Sequence, residues 1–232
     1  MKESSYEAKT RYSGDTVTEY ENKRKSKKWD AEQLVYKKII SKLDKNTKIL
    51  DVPIGTGRFL TYYRDSGHKI TGVDISEDML DYAEKNCPEN FEIRLVKGDA
   101  EKLDFDDKSF DYVISARFLN WLPPEVFLNV LTEFSRVSKR GIIIQVRLIE
   151  RCSISDFIKH VDISYKTVKK KIIKKLFVKG KTYNDYYLHE YKSTMDFLSK
   201  EFRMKQIDAI DTRITFPKFQ KETFYTIWWT KK

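Results

Sequence analysis

The feature that most restricts the fold of this chain is a rhythm: short apolar runs rich in β-branched residues, each followed by a segment of helical periodicity. The runs lie at 48–52, 69–74, 91–97, 110–115 and 141–148. Such runs suit strands covered on both faces, and helices between them return the chain to the same end of a sheet, which makes neighbouring strands parallel. The intervening helices start near Arg58, at Ser76 and at Pro123. Ser76 offers a capping hydroxyl followed by Glu77 and Asp78 in the first turn, and Pro123-Pro124 suits helix entry because proline has no N–H to lose there. Right-handed crossovers then predict an α/β fold built on a doubly wound, mostly parallel sheet.

Around this centre the pattern changes. Residues 1–28 form a polar N-terminal arm with Tyr6, Tyr12 and Tyr20 spaced through it and a basic run at 23–28. An amphipathic helix is expected over 29–43, where Leu34, Val35, Ile39, Ile40 and Leu43 recur at helical spacing. After residue 148 the rhythm breaks, and 150–188 reads as an inserted helical cap with a lysine-rich stretch at 166–181. A helix over 189–202 resumes the core, and 204–211 and 223–230 close the chain as an antiparallel hairpin around a loop containing Pro217. A length of 232 residues suffices for one such domain with these decorations, so 1–232 is expected to be a single domain.

The chemistry concentrates at the ends of the first three strands. Asp51-Val52-Pro53-Ile54-Gly55-Thr56-Gly57 runs from the first strand into the helix at Arg58, and its glycines let backbone approach a ligand where a doubly wound sheet opens its crevice. Asp74 closes the second strand about 20 residues on, the spacing at which a carboxylate accepts the hydroxyls of a ribose. A dinucleotide fingerprint would need a third glycine where this chain has Leu60, so a pyrophosphate is poorly supported. Gly98-Asp99-Ala100 follows the third strand and offers a carboxylate to an adenine amino group. The set fits a ligand with adenine and ribose but no phosphate. A nicotinamide-dependent oxidoreductase or a non-catalytic nucleoside binder is the alternative of another class.

These segments resemble the class I S-adenosylmethionine-dependent methyltransferases, closely over residues 30–148 and more loosely to the C-terminus. Four motifs carry the resemblance: 49–58, Gly72-Val73-Asp74-Ile75-Ser76, Gly98-Asp99-Ala100-Glu101-Lys102-Leu103, and Phe110-Asp111-Tyr112-Val113-Ile114-Ser115. The resemblance implies a Rossmann-like methyltransferase fold and S-adenosyl-L-methionine as cofactor. It implies that Asp51, Gly55 and Gly57, with Pro53 and Arg58 in the same turn, surround the methionine part. Asp74 with Ile75 would hold the ribose, Asp99 and the Ala100 backbone the adenine, and Ser115 would open the loop nearest the sulfonium. Pro53 departs from the common pattern, which has glycine there, so the turn is a variant one.

The acceptor is less legible. A sulfonium methyl is already electrophilic, so the protein's task is to hold an acceptor in line, exclude water and, for a hydroxyl, help remove a proton. Ser115-Ala116-Arg117-Phe118 stands where base-modifying members carry an Asn- or Asp-Pro-Pro-aromatic tetrapeptide, which argues against base methylation. Arg117, Asn120 and Trp121 are candidates to bind the methionine carboxylate or the acceptor, against an ordinary reading as core aromatic and ion-pair partners. His189 and His160 are candidate general bases, because imidazole titrates near neutrality, and Arg117 joins them as a catalytic candidate. From the arm, Tyr12, Tyr20, Arg24 and Trp29 are candidate contacts to cofactor or acceptor.

The expected activity is methyl transfer to an oxygen or nitrogen of a small-molecule or sugar-like acceptor, with an anionic one suited to the lysine-rich cap. The surplus of 45 basic over 35 acidic residues keeps RNA or another macromolecule docked on the basic surface as the alternative. No metal site is expected, since the two cysteines, Cys87 and Cys152, form no zinc-ligand cluster. With no apolar leader or membrane-length run in the sequence, a cytoplasmic protein without membrane insertion is expected.

Overall fold

A computed structural model of the chain describes residues 27–151, 187–215 and 220–232. Its centre is an eight-stranded sheet ordered β3-β2-β1-β4-β5-β8-β7, with β6 paired to β5 off that path. Strands β1 (Lys48–Asp51), β2 (Lys69–Asp74), β3 (Ile93–Lys97), β4 (Phe110–Ser115) and β5 (Ser138–Arg151) are all parallel to their neighbours in this group. The chain winds from β1 outward to β3, then crosses back to β4 on the other side of β1. That reversal opens a crevice at the carboxyl ends of β1 and β4.

Helices cover both faces. On one side lie α1 (Lys27–Ile40), α2 (Leu60–Ser66) and α3 (Glu77–Lys85), where Tyr36, Ile39, Leu60, Tyr63 and Ala83 pack with Ile143 and Trp228 of the sheet. On the other lie α4 (Pro124–Val137) and α5 (Tyr191–Ser199), where Phe127, Leu131, Phe134 and Leu198 meet Ile142, Ile144, Ile227 and Trp229. Successive β5 residues thus alternate between two buried layers, which is why the strand reads as a continuous apolar run. Local signals agree: Ser76 Oγ accepts the Met79 N–H at 3.3 Å as the cap of α3, and Gly67, at φ 68°, ends α2 in the left-handed conformation that glycine permits.

Several boundaries differ from the sequence expectation. The first helix ends at Ile40, although Leu43 stays buried beyond it. The second begins at Leu60 rather than Arg58, because the glycine turn extends through Phe59. His189 does not start a helix: with Glu190 it forms a two-residue strand, β6 (His189–Glu190), parallel to β5 at Leu148 and Ile149, and α5 follows. The closing strands β7 (Phe202–Thr215) and β8 (Gln220–Lys231) outrun their apolar cores, because antiparallel backbone pairing continues wherever one face can stay solvated. The arm at 1–26, most of the cap expected over 150–188, and the loop holding Pro217 lie outside the described residues.

Candidate active site

The site begins where β1 ends. Asp51 is buried, and the Tyr63 hydroxyl of α2 donates to its Oδ2 at 3.0 Å. Burial pushes the Asp51 carboxyl up to about 7, against the lowering effect of the Tyr63 bond; the Asp74 charge raises it further and Arg58 lowers it. The Val52–Pro53 peptide is cis, and the chain then enters the glycine turn.

That turn is fastened to the second strand. Ile54 N–H donates to the Val73 carbonyl at 2.8 Å, and Gly55 N–H donates to Asp74 Oδ2 at 2.9 Å. Ser76 N–H takes the other carboxylate oxygen of Asp74 at 3.0 Å. Burial raises the Asp74 carboxyl, while backbone bonds from Ser76, Gly55 and Ile75 pull it down. Gly55 has φ 56° and open space where a Cβ would stand; Gly57 has φ 79°, and a Cβ there would lie 2.5 Å from Leu60 Cδ1. Leu60 therefore fills the position where a third glycine would bring helix and strand together. At the next strand end, Gly98 N–H donates to the Asp74 carbonyl at 2.9 Å, and Asp99 Oδ1 accepts the Glu101 N–H at 3.1 Å beside buried Ala100.

Asp51, Pro53, Gly55, Gly57, Asp74, Ile75, Asp99 and Ala100 are thus gathered along three adjacent strand ends. Their chemistry suits an adenosyl ligand: backbone-oriented carboxylates for ribose and adenine, open space beside Gly55, and a buried carboxylate for an ammonium. Ser115 ends β4 beside them. Its carbonyl accepts the Tyr36 hydroxyl at 2.9 Å, and its Oγ is buried without a hydrogen-bond partner among the described residues.

The loop after β4 is held from below and from the side. Arg117 adopts φ 55°, and its guanidinium grips Glu32 of α1 through Nε at 2.6 Å and Nη2 at 2.7 Å. Glu32 is fully buried, and Arg58 Nη1 approaches the same carboxylate at 3.7 Å. One carboxylate therefore joins the glycine turn to the loop after β4. Sequence reading missed Glu32, although its spacing to Tyr36, Ile39 and Leu43 puts it in phase with the buried stripe, and a charge in that phase is a signal of a buried partner.

Asn120 and Trp121 support the loop. The Asn120 amide accepts the Arg147 N–H at 2.7 Å and donates to the carbonyls of Arg147 and Tyr187 at 3.0 Å each, and Trp121 Nε1–H donates to the Arg117 carbonyl at 3.1 Å. His189 is buried with its ring stacked on Phe127 at 3.8 Å and its Nε2 bonded to the Leu119 carbonyl at 3.1 Å; burial lowers its pKa. Its surroundings are those of a packing residue that carries this loop. Trp29 falls in the first turn of α1. Tyr12, Tyr20, Arg24 and His160 lie outside the described residues. Among the described residues no group of His, Cys, Asp or Glu could hold a metal ion, and no helix is long and apolar enough to cross a membrane.

Residues 49–141 match the profile of a methyltransferase domain family. The chain is 32% identical over 170 residues to a demethylmenaquinone methyltransferase of Staphylococcus aureus, an alignment covering 72% of this chain and 68% of that protein. The same enzyme from another strain is 34% identical over 160 residues, 68% of this chain and 64% of its own length. The chain thus spans about two thirds of these relatives. Among solved structures, magnesium protoporphyrin IX methyltransferase from Synechocystis with bound S-adenosylhomocysteine superposes with a TM-score of 0.58 at 16% identity, over 88% of this chain and 83% of that one. A possible histamine N-methyltransferase from Thermotoga maritima gives 0.56 at 23% identity, over 94% and 97%.

Proposed function

Because this chain belongs to the class I S-adenosylmethionine-dependent methyltransferases, we propose that it methylates a small molecule bearing a hydroxylated ring, with a quinol as the first acceptor to test. The observation that carries the cofactor half is the fastening of the glycine turn to Asp74: Gly55 and Ser76 N–H groups orient the carboxylate. Its remaining lone pairs then face ribose hydroxyls. Asp99 takes the adenine side, Gly55 leaves room for the methionine part, and Asp51 balances its ammonium. S-adenosylmethionine supplies an electrophilic methyl group; the protein supplies position, a dry environment and proton management.

The acceptor half rests on the relatives named for demethylmenaquinone, whose reduced ring is a naphthoquinol. A ring hydroxyl can itself take a methyl group, or can make the neighbouring ring carbon nucleophilic on losing its proton. Glu32 and Arg117 fix the loop after β4 against which such a ring would lie, so Arg117 acts as a positioning residue in this reading. Leu60, packed where a third glycine would stand, disfavours the nicotinamide dinucleotide alternative.

The test is a transfer assay with methyl-labelled S-adenosylmethionine against naphthoquinol, sugars, amines and RNA. Label in the ring product supports the reading. Label in RNA alone, with binding that weakens steeply as salt rises, replaces it with the macromolecular one.

A further inference from the structure

Strand β5 runs past the end of β4. Their last partners are Ser115 and Ile144, and β6 joins the same edge only at Leu148 and Ile149. Between them, at Gln145 and Val146, no strand among the described residues lies beside that edge of β5, which leaves a notch at the carboxyl end of the sheet, level with the loop after β4. Asn120 closes the far side of the notch through Arg147.

The other edge of β5 is continuously paired with β8. Gln145 stands opposite Thr226, Ile143 opposite Trp228, and Arg147 opposite Phe224. Alternation along both strands places Gln145 and Thr226 on the face of Ile143 and Trp228, the face packed by α1. Two pairs further out, on the same face, the Arg147 guanidinium lies 5.1 Å from the Phe224 ring centroid.

Both members of the Gln145–Thr226 pair are fully buried. Neither Oε1 nor Nε2 of Gln145, nor Oγ1 of Thr226, has a hydrogen-bond partner among the described residues. Buried polar groups are overwhelmingly paired, because an unmade bond forfeits hydration without return. Single atoms of this kind also occur at His68, Ser115, Trp228 and Trp229, but three fall together here. They occupy one cross-strand pair, whose side chains start about 5 Å apart and can reach the same small group. Together they offer an amide donor, an amide acceptor and a hydroxyl, with no net charge.

We propose that the Gln145–Thr226 pair is the element that recognises the methyl acceptor, hydrogen-bonding a neutral hydroxyl on its ring. The inference rests on the small-molecule reading above and adds to it which residues read the acceptor. Discrimination is then by neutral hydrogen bonds on the sheet face next to the notch and not by the lysine surplus. A hydroxyl that both donates and accepts satisfies the pair; an ether oxygen, which only accepts, satisfies half of it.

Calorimetry on the full chain saturated with S-adenosylhomocysteine tests this, with naphthoquinol and its dimethyl ether as titrants. The unsubstituted protein binds the diol about tenfold more tightly than the ether. Gln145→Leu and Thr226→Val erase that preference while keeping S-adenosylhomocysteine affinity and the melting temperature, since the first removes two orphaned polar atoms and the second one, each with little change in volume. Thr226→Ser, which keeps the hydroxyl, retains the preference. Should Gln145→Leu fail to fold, the Thr226 variants decide. A diol preference that survives in Thr226→Val overturns the recognition role and leaves the ring-acceptor reading standing. Failure of the unsubstituted protein to bind the diol overturns both.

Discussion

The guanidinium of Arg117 and the carboxylate of Glu32, 85 positions apart in sequence, meet through two hydrogen bonds of 2.6 and 2.7 Å. This pair ties the first helix to the loop after β4, and Arg58, with its side chain 6% exposed, shares the same carboxylate. Removing the negative charge leaves two cations with diminished compensation. Glu32→Gln is expected to lower stability by about 3 kcal/mol. Arg117→Lys keeps the charge but loses the planar two-bond geometry, at a cost of about 1 kcal/mol. Urea denaturation midpoints of the two variants check this order; midpoints equal to that of the unsubstituted protein would show that the pair contributes nothing.

The two glycines of the first turn separate stability from binding. Gly57→Ala meets Leu60 Cδ1 at 2.5 Å and the Ala83 Cα at 3.3 Å while holding φ at 79°. It is expected to cost about 2–3 kcal/mol. Gly55→Ala meets nothing within 4 Å and carries only the strain of φ 56°, about 1 kcal/mol. Its methyl group nevertheless enters the open space beside Gly55 proposed for the cofactor, so S-adenosylhomocysteine affinity falls further than stability does. Thermal melts with and without S-adenosylhomocysteine measure both effects on the same samples.

The winding of the sheet was legible because β1, β2, β4 and β5 are runs buried largely on both faces, with the half-buried β3 at the edge still rich in β-branched and apolar residues, and Ser76 announced its helix by its cap. Asp74 and the glycine turn were legible for a related reason, since spacing along one chain fixes where two neighbouring strand ends come together. What stayed hidden depends on partners far apart in sequence. Glu32 shows in the sequence only as a charge in phase with Tyr36 and Ile39. Nothing in Asn120 announces that its amide bridges Arg147 and Tyr187. His189 looked like a base because histidine titrates near neutrality, yet its stacking on Phe127 and its bond to the Leu119 carbonyl could be seen only once β6 was placed beside β5. Periodicity reports which face of an element is buried; it does not report what buries it.

Asp74 is expected to dominate cofactor affinity. Asp74→Asn preserves shape but turns one acceptor oxygen into a donor facing the N–H of Gly55 or Ser76, which disturbs the turn as well as the ribose contacts. S-adenosylhomocysteine affinity should fall about tenfold to a hundredfold. Asp99→Asn, at a half-buried position whose Oδ1 also serves the Glu101 N–H, should cost about tenfold or less. Calorimetric titration decides, and an unchanged affinity in Asp74→Asn would remove that residue from the binding site.

Asp51 gives the protein a pH dependence whose sign follows from its burial. Its carboxyl lies at about 7 in the folded chain against 3.8 for the free group, so between those values the folded state holds a proton that the unfolded state releases. The stability contributed by Asp51 is therefore fully present below about pH 4 and is lost as pH rises through about 7, on the order of 4 kcal/mol in all. Asp51→Asn removes this slope, so wild type minus variant isolates it in denaturation at several pH values. Binding runs the other way. An ammonium set beside Asp51 needs the ionised carboxylate, so S-adenosylhomocysteine affinity rises from about pH 6 to about pH 8, and binding at the lower pH releases close to one proton. Calorimetry in two buffers of different ionisation enthalpy counts that proton. If none is released at about pH 6, Asp51 does not pair with the cofactor's ammonium.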